Sequence, residues 1–508
     1  MAVTTLRTSK QSTSTQWWAR SELRTLNLIL LSLVVFSSAN GYDGSVMGGL
    51  LALENWNEFM NHPSGTYLGW INAIYFLGSA VSFPVGAWAS NRYGRKSGMY
   101  VGYLFLVAGI AMQAAARSER TFTYARLLIG ISSAWFAVSA PVLMNEIAHP
   151  TQRSIVSALY MCGYYVGGTI SSWVTFGTRN IASNWAWRIP VLLQCVLPLL
   201  ALPGFLMAPE SPRWLVSVGR SEDASKVLAT YHSGGRMDDP LVLSQMIEME
   251  TTIMAEKEAT SSGSYLDMSR TRGNRHRLLI SVALGFMTQW AGNGVIAYYL
   301  PLVLSSVGIT SVTDQTLINA CLNLWNLLWA IAAATSVDRF GRRGLFLASA
   351  VVMFISFVIV TALSGVFAQT LSSRVGTAVI PFLFIFYAGY DIALTPFLVA
   401  YPVEIWQFTL RSRGLTITWV TALASIFLNT FVNGIALASL GWKYYTLFCV
   451  LLLLWIVFIY FVVPETRGYT LEQMAVVFDG EDAVPLQTVV LEEKGDADTV
   501  VKHADVKE

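Results

Sequence analysis

Two groups of polar residues, set inside apolar stretches, are where this 508-residue chain could do chemistry. The first is a carboxylate and a guanidinium: Asp43 in SSANGYDGSVMGGLL and Arg126 in TYARLLIGISSAW. A carboxylate surrounded by hydrocarbon has to be paired or protonated, so Asp43 cannot face lipid. Paired with Arg126 it would stay charged; separated from it, it would take a proton, and a group with these two states can carry one. A fixed ion pair that only orients two helices, or an Arg126 that snorkels outward, would remove that role. The second group is Gln289, Trp290, Asn293, Tyr298 and Tyr299 in TQWAGNGVIAYYLP. Gln289, Asn293 and a tyrosine one turn on lie on neighbouring faces of a helix that Gly292 and Gly294 would break. Amides that both donate and accept, beside aromatic faces, suit an uncharged polyhydroxylated ligand. Asn323, Asn326, Asn429 and Asn433 add amides at similar depth, although each could equally be interhelical glue.

Other chemistries lack their residues. There is no G-x-x-x-x-G-K-[ST] loop and no Gly-Lys dipeptide, so this chain holds no phosphate cradle of that kind for ATP. H-E-x-x-H, a Cys/His ligand cluster and G-x-S-x-G are also missing, which argues against an enzyme, a metal or an organic cofactor. Cys162, Cys195, Cys321 and Cys449 fit neither a disulfide framework nor a zinc site and read as small packing residues.

The elements that must position these residues are membrane helices. Charged residues are 13% of the chain and hydrophobic ones 54%, with a mean hydropathy of +0.51. An ordinary soluble domain has about 25% charged residues, so water is not the main solvent for this surface. Apolar stretches long enough to cross a bilayer lie at 25–51, 67–88, 97–116, 121–147, 154–176, 188–207, 277–305, 315–337, 344–366, 377–403, 414–437 and 442–463. That predicts an all-α membrane protein of twelve spans. Three signatures recur about half a chain apart: NRYGRK as DRFGRR, NEIAHPTQR as VEIWQFTLR, and PESPR as PETRG. The repeat predicts two similar six-helix bundles, 25–207 and 277–463. A polar linker with short helices, 208–276, joins them; 1–24 and 464–508 are tails, polar and disordered from about 479 onward. The glycines at 41, 44, 48 and 49 are expected to loosen the first span so that its backbone lines a cavity, and Gly163, Gly167 and Gly168 to pack helices closely.

Arginine and lysine collect in loops of one parity, at Arg92, Arg95, Lys96, Arg153, Arg339, Arg342, Arg343, Arg411 and Arg413. Those loops should be cytosolic, with both termini inside, although Arg117, Arg120, Arg179, Arg188, Arg374 and Lys443 break the rule. Residues 1–24 contain no apolar core of a signal peptide, so the first span should serve as the anchor. The basic residues serve topology and form no nucleic-acid patch.

Taken in order, GYDGSVMGG, NRYGRK, PESPRW, Q-W-x-G-N-G-x-x-x-Y-Y, VDRFGRR, YPVEI and PETRG make the chain resemble the sugar-porter family of the major facilitator superfamily, over about 25–478. YMCGYYVGG and QWAGNGVIAYYL look most like its fungal lactose-permease and cellodextrin-transporter branch. The resemblance implies alternating access, with ligand held between the two bundles. It also implies that Asp43 and Arg126 are the proton-coupling pair, and that Gln289 and Asn326 contact sugar, with Tyr298 and Tyr299 nearby; Asn293 lies one residue before the family's usual asparagine position, Gly294. Arg92, Arg95, Glu146, Arg153, Arg339, Arg342, Glu404 and Arg411 match a cytosolic charge network that locks the outward-facing state. Thr288, Gly294, Met161, Gly168, Leu423 and Asn91 depart from the hexose-carrier pattern and argue against a standard glucose carrier. The expected function is proton-coupled import of a disaccharide or related glycoside across the plasma membrane, by a monomer whose partners are substrate, protons and lipid. A carrier or exporter of another metabolite is the alternative, ahead of a sugar sensor. A charged substrate is disfavoured, because no unpaired intramembrane charge is expected to remain.

Overall fold

The computed structural model describes residues 20–262, 265–336, 341–407 and 410–467, together with Trp18, Met474 and 477–479. In lipid every backbone N–H and C=O must be satisfied within the segment, so the apolar stretches fold as helices. The first half contains α1 (Ser21–Leu50), the short surface helix α2 (Glu54–Phe59), α3 (Gly65–Tyr93), α4 (Arg95–Ala114), α5 (Glu119–Ile147), α6 (Arg153–Thr178), α7 (Trp185–Leu193) and α8 (Val196–Met207). The linker forms α9 (Pro212–Ser217), α10 (Ser221–His232), α11 (Pro240–Ser262) and α12 (Asp267–Arg270). The second half contains α13 (Arg272–Met287), α14 (Asn293–Ser305), α15 (Val312–Ser336), α16 (Arg342–Thr370), α17 (Ser373–Thr377), α18 (Val379–Ile405), α19 (Arg411–Leu440) and α20 (Tyr445–Val462).

Among the described residues nine stretches are long and apolar enough to cross a membrane, and one of them, 411–462, runs through both α19 and α20. The other two crossings are α6, rich in Gly, Ser, Thr and Tyr, and the interrupted pair α13 and α14. Twelve crossings result, six in each half. Several elements differ in detail from the sequence reading. The sixth crossing is two helices, α7 and α8, parted at Gln194 and Cys195. In the seventh, of the two glycines Gly292 (φ +105°) makes the break while Gly294 lies inside α14, which kinks again at Tyr299. The first crossing is not loosened: α1 is one unbroken helix, and its glycines let neighbours approach. A Cβ on Gly41 would fall 1.8 Å from the Tyr164 carbonyl oxygen, and one on Gly167 would fall 1.8 Å from that of Ser38, so α1 and α6 touch backbone to backbone.

Each half has its own buried core. Phe36, Phe136 and Phe205 centre the first, and Phe346, Phe357, Phe386 and Phe448 the second. The halves close on each other at the face away from the linker. A Cβ on Gly69 of α3 would lie 2.4 Å from the Phe431 carbonyl oxygen of α19, and one on Gly434 would lie 2.6 Å from the Gly69 nitrogen. On the opposite flank, Asn323 Nδ2 of α15 donates to Ser172 Oγ of α6 at 2.9 Å, and Arg179 Nε donates to Thr313 Oγ1 at 3.3 Å. The face away from the linker is therefore sealed. Leu28, Leu104, Leu371 and Phe461, more than half exposed, belong to the outward surface.

Candidate functional site

Asp43 sits about three-quarters of the way along α1, 2% exposed, and its Oδ1 is buried without a hydrogen-bond partner among the described residues. Arg126 of α5 is also buried and close enough to act electrostatically on Asp43. The two do not form a contact ion pair among the described residues. Instead, Arg126 Nε donates to the Ile71 carbonyl at 2.9 Å, and the guanidinium lies 5.5 Å from the centre of the Tyr75 ring. Asp43 therefore has a cation nearby that another helix holds in place. This is the separated arrangement of the two the sequence allowed.

The break at Gly292 turns α13 into α14 and places the amide and tyrosine group against the first half. Gln289 is half-buried, with no side-chain hydrogen bond among the described residues. The Oδ1 atoms of Asn293 and Asn326 are buried and likewise unpartnered. Tyr298 packs its ring 5.2 Å from that of Phe76 in α3, and its hydroxyl meets that of Tyr164 in α6. Four of the five expected ligand contacts thus carry unspent polar groups or face the junction of the halves. Tyr299 is the exception and a correction: it is 0% exposed, and its hydroxyl donates to the Thr430 carbonyl of α19 at 2.6 Å. It belongs to the seal, where the kink at its own backbone (φ −132°, ψ 21°) sends the ring toward α1 and α3. Asn429 and Asn433 bond to each other at 2.9 Å along α19, and Tyr444, in the turn after that helix, donates to Asn433 at 2.8 Å, so this pair is largely spent on α19 and its C-terminal turn.

At the linker face the charge network is built twice. Arg95 reaches Glu146 at 3.1 Å in the first half, and Arg342 reaches Glu404 at 3.1 Å in the second. Both pairs lie within one half. Arg92 and Arg153 are exposed there, Arg411 Nε approaches the Trp406 carbonyl at 3.5 Å, and Arg339 lies outside the described residues. Sequence reasoning missed two further residues, Glu210 and Glu465. The Glu210 carboxylate accepts from the backbone N–H groups of Arg95 and Lys96 at 3.0 and 3.2 Å. Glu465 accepts from those of Arg342 and Arg343 at 2.8 and 3.1 Å. Each carboxylate thus caps a helix start, where free N–H groups and the helix dipole favour an anion. Gly94 (φ +100°) and Gly341 (φ +43°) make room: a Cβ would come within 2.5 and 2.7 Å of the respective carboxylates. Burial works against the charge on Glu465, yet the N–H groups of Arg467, Arg342, Arg343 and Thr466 together hold its carboxyl below the usual range. The glutamates of the PESPR and PETRG repeats were visible; what they grip was not.

A second intramembrane acid was also missed. Asp391 of α18 is 0% exposed, and its Oδ1 accepts from Tyr165 of α6 at 2.5 Å and from Thr395 at 3.1 Å. Its Oδ2 has no partner among the described residues. The expectation that no unpaired intramembrane charge remains is therefore overturned. The signal was the one that exposed Asp43, a carboxylate inside an apolar run, FYAGYDIALTP.

Comparison with known proteins places this geometry. Among curated relatives, the MFS-type transporter oryC of Aspergillus oryzae is 29% identical over 85% of this chain and 82% of its own length. The sugar transport protein MST5 of Oryza sativa subsp. japonica is 26% identical over 85% and 86%, and the MFS glucose transporter mfs1 of Aspergillus flavus 26% over 86% and 87%. Among solved structures, the proton:xylose symporter XylE bound to 6-bromo-6-deoxy-D-glucose matches with a TM-score of 0.70 over 90% of this chain and 99% of its own, at 22% identity. The inward-open form of XylE from E. coli gives 0.73 over 89% and 100%, at 20% identity. Residues 29–478 match the sequence profile of the sugar (and other) transporters. With a twelve-helix fold built of two halves and a buried polar group between them, the chain belongs to the sugar (and other) transporter family of the major facilitator superfamily, a multi-pass membrane transporter and not an enzyme.

Proposed function

We propose that this protein imports a neutral sugar, a disaccharide or related glycoside, together with protons across the plasma membrane. The observation that carries the coupling is Asp43: a buried carboxyl with an unpartnered oxygen, near an arginine that is held by another backbone group. A proton can neutralise Asp43 without disturbing Arg126; when the proton leaves, the carboxylate and the guanidinium attract, and α1 and α5 are drawn together. The sugar assignment rests on unspent amides at Gln289, Asn293 and Asn326 beside Tyr298, which can donate to and accept from ring hydroxyls. Related proteins named for sugar or glucose transport, and a structural neighbour named as a proton:xylose symporter, support this reading.

The cycle follows from the two halves. The sealed far face is held by close backbone approaches and a few polar contacts, while each half keeps its own charge cluster at the linker face. Arginine-rich loops place the linker face in the cytosol. Rocking the halves would open the seal to the exterior and bring the two clusters together, and pairs worth at most about 1 kcal/mol each can form and break every turnover. Arg92, Arg153, Arg339 and Arg411 are assigned to that closed cytosolic gate with the two ion pairs.

A second reading, transport of another metabolite, is favoured by Asp391, whose free oxygen could meet a donor-rich or cationic ligand. Uptake of labelled glucose, lactose and cellobiose by transporter-deficient cells separates the two. Uptake that a protonophore collapses supports sugar–proton symport. Silence on all three sugars, with the protein at the cell surface, puts the second reading first.

A further inference from the structure

Asp391 belongs to the second half and Tyr165 to the first, so their hydrogen bond crosses the junction that transport must open. It lies at mid-depth: Tyr165 is near the middle of α6 and Asp391 near the middle of α18. The bond is short, 2.5 Å, and is charge-assisted whenever Asp391 is ionised. Thr395 donates to the same oxygen from one turn away, and Tyr165 also touches Thr395 at 2.8 Å, which fixes the phenol between two groups of α18.

Among the described residues no cation acts on the carboxyl of Asp391. The titratable groups that act on or are acted on by Asp391 are phenols: Tyr165 from α6, and Tyr387 and Tyr390 from its own helix, with Tyr164 of α6 and Tyr298 of α14 next beyond them. Tyr387 and Tyr390 have their protons committed, to the Asn293 and Thr288 carbonyls at 3.1 and 2.8 Å. The helices packed on α18 carry their charges near their ends or in the short α17: Arg272, Arg275, His276 and Arg277 on α13, Asp314 on α15, Arg342 and Arg343 on α16, Arg374 on α17, Arg411 and Arg413 on α19, with Glu404 at the end of α18 itself.

We propose that Asp391 and Tyr165 form a proton-released lock between the halves, distinct from the coupling proposed for Asp43. With Asp391 ionised, the charge-assisted bond holds the halves as they stand here. A proton that reaches this buried site converts the carboxylate to a carboxylic acid, and the unpartnered Oδ2 is the atom that takes it. Tyr165 keeps its own proton throughout, and its bond becomes a neutral one of roughly half the strength. The halves then separate more readily, so proton arrival at this site lowers the barrier to reopening.

Double electron–electron resonance tests this without knowing the substrate. Spin labels go on Glu58→Cys and Gln369→Cys, exposed positions on the far face of each half, with the four native cysteines changed to alanine and Asp43→Asn present so that Asp43 cannot titrate. Between pH 8 and pH 5 the long-distance population should rise about fivefold, the ratio for a charge-assisted bond becoming neutral. Adding Asp391→Asn or Tyr165→Phe should leave the population high and independent of pH, and Asp391→Glu should restore the response. A parent without a pH response, or a response that survives in either variant, overturns the lock; should Asp391→Asn fail to fold, Tyr165→Phe alone decides. Uphill accumulation by Asp43→Asn reports on the other carboxyl separately.

Discussion

Replacing Gln289 by alanine should weaken substrate binding and leave the fold untouched, because the structure gives this amide nothing else to do. The side chain is half-buried at the start of the break between α13 and α14, without a hydrogen bond among the described residues. Its removal therefore strands no partner in the empty protein, and unfolding should shift by less than about 0.5 kcal/mol. In the complex it loses one hydrogen bond to a neutral hydroxyl, about 0.5–1.5 kcal/mol, which raises the dissociation constant roughly two- to tenfold. Ligand-induced thermal stabilisation reads both effects in one titration. A sugar at 100 times its dissociation constant stabilises the native protein by about 2.7 kcal/mol, and after a tenfold loss of affinity the same concentration gives about 1.4 kcal/mol. The melting temperature without ligand should coincide with the parent's. An unchanged ligand shift would remove Gln289 from the site, and a large drop in the ligand-free melting temperature would show that it is a packing residue.

Tyr299→Phe should behave in the opposite way: it removes a hydroxyl bond to the Thr430 carbonyl, which keeps its helical partner, and costs the closed far face about 0.5–1.5 kcal/mol, seen as greater labelling of far-face cysteines with little change in substrate affinity. Glu465→Ala should lower thermal stability by about 1–3 kcal/mol, because it uncaps the N–H groups of Arg342 and Arg343; an unaltered melting temperature would contradict the capping role. At the linker face, burial, then His232 at 5.2 Å ring to ring, and then Arg20 and Arg153 push His149 down to about 4. A histidine whose folded value lies below its unfolded one stabilises the protein above about pH 6.5 and loses that contribution as pH falls from there toward about 4. Stability should accordingly fall by on the order of 2 kcal/mol between pH 7 and pH 5, and His149→Gln should flatten the slope; equal slopes in the two proteins would exclude His149 as its source.

The elements were legible where apolar length decides them, since a bilayer leaves helix as the available solution for an apolar run of about 20 residues. The glycines were harder. GYDGSVMGG reads as a loosened helix because glycine lowers helix propensity, yet α1 is continuous, since contact with α6 and α14 rewards each missing side chain. At Gly292 and Gly294 the sequence offered two breaking points, and the positive φ at Gly292 alone makes the turn. Charged motifs show which residues carry charge and not what they touch: Glu210 and Glu465 grip backbone groups more than a hundred positions away, which pattern cannot reveal. Tyr298 and Tyr299 are sequence neighbours of one residue type, and a kink between them sends one toward the junction of the halves and the other into the seal. Asp391 carried a clear signal, a lone acid in an apolar run, and went unread because Asp43 already had a role to fill.

Asp43→Asn tests the central claim, that this carboxyl carries the coupling proton, most directly. Cells expressing the variant and the parent would be compared for uphill accumulation of a transported labelled sugar and for exchange of that sugar in counterflow, where no net proton movement is needed. Accumulation should vanish while exchange persists at a comparable rate, because the amide holds the neutral state and leaves Arg126 on the Ile71 carbonyl. Accumulation that survives would contradict the claim outright, and equal loss of accumulation and exchange would assign Asp43 to folding or binding instead.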